Sequence, residues 1–334
     1  MGGLEHPLQP CLEQMPQATH YYSEGRGKGM PSALENYLKD LRDTGKPLVV
    51  SKLVTLSDLS REEMEIFGRI WPAIDVARRR QIVDLLVELA GDNFELDYNG
   101  IFRLCLGDGD GEVKAKAIEG LSECEERSLL DPLIGLLLGD LEGSVRAAAA
   151  AALGTFAMLA EFGELPANEA DKVQKALLTA FNNKKEQMDV RCRALESISM
   201  LSKPQVEDMI RQAYQSDDLE FRAGALCAMG RTCNSDWLSI LLQELSSPSA
   251  QLRFEAARAC AELEADEAVP RLIELTRDDD AQVRLSAVEA LGRIGGNEAK
   301  LALQECRDGS DDVMSEAAEE ALDEMKFWEN PFAV

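Results

Sequence analysis

Small and apolar residues recur at a fixed spacing along this chain, most clearly in residues 278–296. Counted from Val283, they follow at offsets of four, seven and eight residues, as Ala287, Ala290 and Leu291. At 3.6 residues per turn these offsets fall on one side of a helix. The pattern therefore predicts an amphipathic helix whose narrow apolar stripe allows a second helix to pack closely against it.

Both ends of this predicted helix carry suitable capping residues. Asp280 stands three residues before Val283, where its carboxylate can accept hydrogen bonds from free backbone N–H groups. Gly292 and Gly295 suit the carboxyl end, where glycine adopts the required backbone conformation at low cost. We therefore expect the helix to begin after Asp280 and to end near these glycines.

The same stripe occurs seven times in the chain. Its first positions, here called anchors, are Val113, Val145, Val190, Phe221, Leu252, Val283 and Met314. The residue at offset four is always alanine: Ala117, Ala149, Ala194, Ala225, Ala256, Ala287 and Ala318. Successive anchors are 32, 45, 31, 31, 31 and 31 residues apart. A fixed period of this length indicates a solenoid, and the long interval indicates an insertion of about 14 residues (45 minus 31).

Each period also contains an earlier apolar segment that predicts a second helix. The segment preceding Val283 is Ala268 to Thr276, with Pro270 in its first turn. The pattern D-x-x-V-R-x-x-A-x-x-A-L-G after an L-I-x-L helix resembles the HEAT repeat, in particular the short form of phycobilisome-lyase-like proteins. The resemblance covers residues 94–325. It implies an all-α fold: an α-α superhelix, or HEAT-like solenoid, of about seven helical-hairpin repeats plus a degenerate N-terminal repeat.

The chain divides into four predicted segments. Residues 1–30 lack an apolar period and are expected to be disordered, with the hypothesis that the native protein begins at Met30. Residues 31–93 contain N-terminal helices and a degenerate capping repeat, in which Ser60 and Glu63 have capping-box spacing. The repeats occupy residues 94–325. Residues 326–334 form an aromatic tail that either caps the last repeat or binds a partner.

Composition narrows the range of partners. The chain has 61 acidic and 35 basic residues and a formal net charge of −26, which disfavours binding to nucleic acid. We expect no apolar run long enough to cross a bilayer, and therefore no membrane partner. The eight cysteines form no C-x-x-C pair, which favours reduced thiols and a cytoplasmic location.

The repeats lack the residues that most enzymatic chemistry requires. The only histidines, His6 and His20, lie in the N-terminal segment, so the repeats have no Ser-His, Cys-His or H-E-x-x-H arrangement. HEAT-like deoxyhypusine hydroxylases bind iron through His-Glu pairs, which are likewise missing here. Residues 107–111, GDGDG, fit a turn better than a calcium loop. We therefore predict no catalytic residue, no cofactor and no metal site, and a protein that is not an enzyme.

A basic residue follows the anchor in six repeats. These residues are Lys114, Arg146, Arg191, Arg222, Arg253 and Arg284. We expect them to form a structural spine of ion pairs along the solenoid, with acids in the repeat turns as partners. The expected partners are Asp110, Glu142, Asp218 and Asp280.

The HEAT resemblance implies that the anchored helices line a concave groove, with offsets three and six facing it. The candidate protein-binding residues are Lys116, Glu119, Arg193, Glu196, Glu255, Arg258, Ser286, Glu289 and Glu320, and Ala148 and Ala151 form a small-residue floor. Residues 159–170, within the insertion, are a second candidate contact element.

Two functions from different classes remain open at this point. The first is a non-enzymatic scaffold or adaptor that binds another protein or peptide in the concave groove. The alternative, implied by the resemblance, is a bilin lyase-like factor or chaperone that attaches a chromophore. A third, a HEAT-type DNA glycosylase, is disfavoured by the net charge of −26. The identity of the partner and the oligomeric state are left open.

Overall fold

The computed structural model describes residues 31–329, and every regular element within this range is helical. The described residues divide into two compact units between Ile82 and Val83. The predictions for residues 1–30, for His6 and His20, and for the aromatic side chains of the C-terminal tail lie outside the described residues.

The N-terminal unit consists of short helices. They are α1 (Pro31–Arg42), α2 (Val50–Leu53), α3 (Arg61–Ile70) and the first part of α4 (Val76–Asp92). The predicted capping box begins α3: the Glu63 N–H donates to the Ser60 hydroxyl at 3.3 Å, and the Ser60 N–H donates to the Glu63 carboxylate at 2.9 Å. The reciprocal bonds satisfy two backbone donors that a helix start otherwise leaves free.

The core of this unit is built from side chains at helical spacing. Leu38 of α1, Leu53 of α2 and Phe67 of α3 are buried, and the ring of Phe67 stacks on that of Trp71 with centroids 5.2 Å apart. The Arg78 guanidinium donates to the Asp43 carbonyl at 3.1 Å, which attaches the start of α4 to the end of α1. The unit therefore has its own small apolar centre.

The second unit is a row of helical hairpins. Its helices are α5 (Asn99–Cys105), α6 (Gly111–Glu119), α7 (Leu130–Gly139), α8 (Gly143–Glu161), α9 (Ala167–Asn182), α10 (Met188–Ile198), α11 (Pro204–Tyr214), α12 (Leu219–Arg231), α13 (Leu238–Glu244), α14 (Ala250–Glu262), α15 (Val269–Leu275), α16 (Ala281–Ile294), α17 (Gly296–Arg307) and α18 (Asp312–Glu329). The odd-numbered members are the first helices of their repeats, and the even-numbered members are the anchored second helices. The predicted architecture of about seven hairpins is confirmed.

The alanine stripe is the seam between repeats. All seven alanines at offset four have 0% of their surface exposed. Each second helix packs against its own first helix and against the second helix of the next repeat. A methyl group at this position lets backbones approach without leaving a cavity, so the stripe accounts for the regular stacking.

The ends of α16 follow the expected chemistry. Asp280 caps α16 by accepting from the Gln282 and Val283 N–H groups at 2.9 and 3.2 Å. Gly295 ends the same helix with a φ of +78°, a conformation that glycine adopts without strain. Gly292 lies near the helix end as expected, in the last turn of α16, and is buried. Its role is in packing, not in capping.

The insertion lengthens two helices. With 19 and 16 residues, α8 and α9 are longer than α14 and α15, which have 13 and 7. The connection between them is short: Gly163 has a φ of +76°, and Leu165 is buried. The element predicted at residues 159–170 is therefore the end of α8, a tight turn and the start of α9, with Phe162 71% exposed.

The helix α8 is apolar because it is central to the stack. It is long and apolar enough to cross a membrane by length and composition, so the expectation that no run reaches this length is wrong. In the structure, 61% of the segment is buried, and α8 contacts α6, α7, α9 and α10. Four of its six consecutive alanines, Ala147, Ala149, Ala150 and Ala152, are buried and serve helix packing.

Candidate functional site

The second helices form one continuous face of the repeat unit. Neighbouring second helices contact each other much more extensively than neighbouring first helices do. When the helices of a row of pairs pack more closely on one side than on the other, the row curves toward the closely packed side. We therefore call the exposed sides of α6, α8, α10, α12, α14, α16 and α18 the concave face.

Most of the predicted groove residues lie on this face as exposed or half-exposed side chains. Lys116 and Glu119 of α6 form an ion pair at 3.0 Å. Glu289 of α16 and Glu320 of α18 are exposed to solvent. The outer positions therefore contribute one ion pair at the amino-terminal end of the face and two exposed acids toward its carboxyl-terminal end.

The structure brings four predicted residues together with a fifth at the middle of the face. We call Arg193, Glu196, Arg231, Glu255 and Arg258 the central cluster. The buried Glu196 carboxylate accepts from Arg193 at 2.8 Å and lies 4.0 Å from the Arg231 guanidinium. Since Arg231 belongs to α12 and Glu196 to α10, this contact spans two repeats.

Glu255 of α14 is the less well paired carboxylate of the cluster. Its partner Arg258 approaches to only 3.5 Å, and the Arg258 guanidinium also lies over the Phe254 ring at 5.7 Å from the centroid. Burial raises the pKa of Glu255, the arginines of the cluster lower it, and the neighbouring Glu196 charge raises it further; the net shift is upward. The carboxylate is therefore more easily protonated than an exposed glutamate.

The floor beneath the cluster is made of small side chains on α12. Gly224 and Cys227 occupy its concave side, and both are buried. Burial, followed by the nearby Glu196 charge, raises the pKa of the Cys227 thiol to about 12. The thiol is protonated at neutral pH and is therefore a packing group, not a nucleophile.

Ser286 does not belong to the groove. Only 1% of it is exposed, and its hydroxyl donates to the Phe254 carbonyl of α14 at 3.4 Å. At this point α14 and α16 are so close that the offset-three position of α16 faces the neighbouring helix. The prediction of a groove residue at this position is wrong.

The sequence interpretation did not select Arg231, although a signal for it was present. Arg231 stands at offset ten from Phe221, one turn beyond the offset-six position of the same helix. Offsets three, six or seven, and ten share one helix side. Extending the pattern by one turn would have included it.

The basic spine forms ion pairs, but mostly with the next repeat. Arg253 of α14 donates from Nε and Nη2 to Asp278, in the turn before α16, with both distances 2.7 Å. Arg146 of α8 binds Glu186 in the same bidentate way at 3.1 and 2.7 Å. Lys114 binds Asp140 of the following turn. These contacts connect consecutive repeats along one edge.

Among the described residues, the ion pairs given for the spine are made with other acids, and three of the four expected partners cap helices instead; the fourth, Glu142, makes no side-chain capping bond at the start of α8. The side chains of Asp110, Asp218 and Asp280 accept backbone N–H groups at the start of their own helices. Arg284 approaches Asp311 of the following turn at 3.8 Å, although Asp280 is closer in sequence. Asp311 itself accepts the Met314 N–H at 3.3 Å, so one carboxylate both caps α18 and meets a basic residue of the preceding repeat.

The Asp278 carboxylate makes contacts of two kinds. Asp278 accepts the Asp280 N–H at 2.9 Å while it binds Arg253. Arg253 in turn donates from Nη1 to the Ser247 carbonyl of its own turn at 2.8 Å. The pair therefore connects the turns of two adjacent repeats and is mostly buried, with 16% of the Arg253 side chain and 8% of the Asp278 side chain exposed.

Two members of the spine differ because the next turn lacks an acid at this position. Serine stands there instead, as Ser216 after Arg191 and as Ser247 after Arg222. Arg191 donates to the Phe181 carbonyl at 2.9 Å and lies over the Phe221 ring at 4.5 Å. The prediction of an acid partner for Arg191 is thus not met among the described residues.

Arg222 finds a carboxylate elsewhere in the next repeat. It binds Glu244, at the end of α13, at 3.0 Å. The Tyr214 hydroxyl donates to the same carboxylate at 2.6 Å. Burial, together with this bond, raises the pKa of the Tyr214 hydroxyl to about 12.

The ion pairs of the spine predict that the folded protein loses stability at acid pH. Burial raises the pKa values of Asp140 and Glu186, but the bonds and charges of Lys114 and Arg146, together with backbone N–H bonds from Glu142 and Gln187, make the net shift of both downward. The Arg253 guanidinium lowers the pKa of Asp278. A carboxyl whose folded-state pKa is lowered stabilises the fold above its unfolded value and loses this contribution as pH falls through the folded value.

We therefore expect the free energy of unfolding to change little from pH 7 to about pH 5 and to fall at lower pH. Urea titrations at a series of pH values measure this directly. An Asp278→Asn variant should show a shallower decline, since one of the titrating groups is removed. Stability that is constant or rises toward pH 3 would contradict the assignment.

Several solved structures are similar to this chain at low sequence identity. Human deoxyhypusine hydroxylase is 18% identical, with 88% of this chain and 98% of that chain covered and a TM-score of 0.36. The complex of CpcE and CpcF of phycocyanin lyase from Nostoc sp. PCC7120 is 19% identical, with 68% and 94% covered and a TM-score of 0.44. Importin beta is 14% identical, with 83% and 44% covered and a TM-score of 0.43.

Sequence comparison identifies the repeats themselves. No curated protein matches the chain. Residues 238–323, which contain α13 to α17 and most of α18, match the family model for HEAT repeats. This match agrees with the hairpins, the buried alanines and the contacts between consecutive second helices. Residues 238–323 are therefore HEAT repeats, and the preceding hairpins carry the same alanine stripe.

Proposed function

We propose that this chain is a non-enzymatic scaffold or adaptor whose concave face binds another protein or a peptide. The HEAT-repeat fold supports this proposal, because consecutive second helices present one continuous surface to a partner. A receptor surface that is already folded avoids the entropy cost of ordering on binding.

The observation that carries the proposal is the construction of the middle of the face. The charged side chains of the central cluster are held by contacts with one another, such as Arg193 with Glu196 at 2.8 Å. The neighbouring α8 presents Ala148 and Ala151, which leave room for a partner to approach the backbone. Arginine is enriched at protein interfaces, and polar groups that are already held in place lose little entropy when a partner binds.

The chemistry of the chain supports protein over nucleic acid as the partner class. With a net charge of −26, a phosphate backbone would be repelled by most of the surface. The cysteines among the described residues are free thiols, which supports the proposed cytoplasmic location. The absence of catalytic, cofactor and metal roles is part of the same proposal.

The proposal is tested by affinity capture with matched surface variants. Ala151→Arg places a long charged side chain on the concave face, and Gln212→Arg places the same side chain on the exposed side of the first helix α11. Both positions are exposed, so both variants should fold. Captured proteins, identified by mass spectrometry, should be lost with Ala151→Arg and retained with Gln212→Arg.

Two results would overturn the proposal. Equal capture by the two variants would show that the concave face is not the binding surface. A shifted absorption band on incubation with a bilin and an acceptor protein would support the chromophore-attachment factor instead.

A further inference from the structure

The central cluster is layered, with its arginines on the outside. The Arg193 and Arg258 side chains are 47% and 45% exposed, and Arg231 is 25% exposed. The Glu196 and Glu255 side chains are only 7% and 18% exposed. A partner that approaches the middle of the concave face therefore meets guanidinium groups first, and the carboxylates lie beneath them.

The buried carboxylates hold these guanidiniums in place. Glu196 binds Arg193 at 2.8 Å, and the Glu196 backbone carbonyl accepts from Arg231 at 3.5 Å. Arg258 is positioned by Glu255 at 3.5 Å and by the Phe254 ring. Because arginine loses less side-chain entropy when its guanidinium is already oriented, these groups are prepared for a further contact.

The free edges of the guanidiniums determine which ligand fits. Arginine binds carboxylates through two parallel N–H···O bonds, and the layer offers three such groups on adjacent helices. A lysine-rich or arginine-rich segment would meet like charges at the same place. Arginine is also enriched among the residues that contribute most to binding at protein interfaces.

Acidic residues border the layer at both ends of the helices, because Glu262 is the last residue of α14 at the offset that Arg231 has in α12. Asp189 lies 3.4 Å from the Nε atom of Arg193, and Glu220 is exposed at the start of α12. Both stand at the amino ends of their helices, whereas Arg231 is the last residue of α12. A partner can therefore reach the layer between these acidic borders, over the exposed Arg193 and Arg258 side chains.

We propose that the arginine layer of Arg193, Arg231 and Arg258 binds an acidic segment, rich in Asp and Glu, of a partner protein. This inference rests on the proposed function and specifies the chemistry of the partner. The repulsion expected from a net charge of −26 acts mainly at long range, where salt at physiological ionic strength screens it. The contacts within the layer are short and less screened.

The test uses a fluorescent Glu/Ala peptide and the full chain at physiological salt, with binding followed by anisotropy. Arg258→Ala should weaken binding by about tenfold, because a charge-assisted bidentate contact is lost. Arg258→Lys, which retains the charge but not the planar fork, should give an intermediate affinity. Circular dichroism checks that each variant folds.

Arg271→Ala is the matched control. Arg271 on α15 is 46% exposed and pairs with Glu274 three residues away, as Arg258 pairs with Glu255. This variant should bind the peptide like the unaltered chain. Equal weakening by Arg258→Ala and Arg271→Ala, or no binding of the Glu/Ala peptide at all, would overturn the acidic-segment proposal.

A Lys/Ala peptide tests the competing possibility that a basic segment of a partner binds the concave face. It should bind the acidic surface in a salt-sensitive way and be unaffected by Arg258→Ala. If a captured partner crosslinks to the concave face through a basic segment, the scaffold function stands and the acidic segment is excluded. If capture is insensitive to Ala151→Arg, the scaffold function itself fails.

Discussion

Asp278→Asn should lower the free energy of unfolding by about 2 kcal/mol, because it leaves the Arg253 guanidinium without its charged partner. The two side chains form a bidentate pair at 2.7 Å and are mostly buried. Asparagine can still accept the Asp280 N–H, which Asp278 binds at 2.9 Å, so the turn is preserved. Chemical denaturation at neutral pH measures the difference.

Glu305→Gln provides the control for the same chemical change at the surface. Arg277 and Glu305 also form an ion pair between neighbouring repeats, at 3.5 Å, but their side chains are 80% and 74% exposed. Water and salt compensate exposed charges, so this change should have little effect. If the two variants lose the same stability, burial is not what makes the spine important.

Gly230→Ala should destabilise the fold by about 2 kcal/mol through overpacking. A Cβ atom at Gly230 would lie 2.8 Å from the Cα atom and 3.0 Å from the Cβ atom of Ala259 on the next second helix. The nearest obstacle is backbone, so the helices α12 and α14 would have to separate. Because neighbouring repeats stack through such contacts, the change should also reduce the cooperativity of unfolding.

Gly135→Ala is expected to have the opposite sign. Gly135 lies inside α7, and a Cβ atom there would meet nothing within 4 Å. Alanine in an open helical position is favoured over glycine by about 0.5–1 kcal/mol. If Gly135→Ala destabilised the fold as much as Gly230→Ala in the same denaturation assay, the loss at Gly230 could not be attributed to the close approach of α12 and α14.

The glycine contacts follow a regularity in the sequence that the stripe analysis did not use. Gly154, Gly230 and Gly292 all stand at offset nine from their anchors. Added Cβ atoms at Gly230 and Gly292 would meet the alanine at offset seven of the next repeat, Ala259 or Ala321. A search for small residues at every offset would have identified this second contact line.

The local features were predictable from sequence for a physical reason. Helical periodicity places offsets four, seven and eight on one side of each helix, and all the offset-four alanines are fully buried. The Asp280 cap and the Ser60 capping box likewise depend on residues two or three positions apart. Such contacts need no knowledge of how one repeat lies against the next.

The contacts between repeats were not predictable in the same way. The partner of Arg253 is Asp278, 25 positions away, whereas the sequence interpretation selected N-cap acids. Ser286 was placed on the groove by its offset, but the close approach of α14 buries it. Both errors arise because the rotation and distance between adjacent helices decide which side chains meet.

By itself, the sequence determined the repeating hairpin, its period and the alanine seam, since these depend on residue size and spacing along single helices. Only the tertiary structure decided which turn acid binds each basic residue, and that Arg193, Arg231 and Arg258 lie above buried glutamates. Small changes in the stacking of neighbouring helices alter such pairings without changing any local pattern. For this reason the fold could be inferred from the repeats, while the chemistry of the concave face required the arrangement of three consecutive repeats.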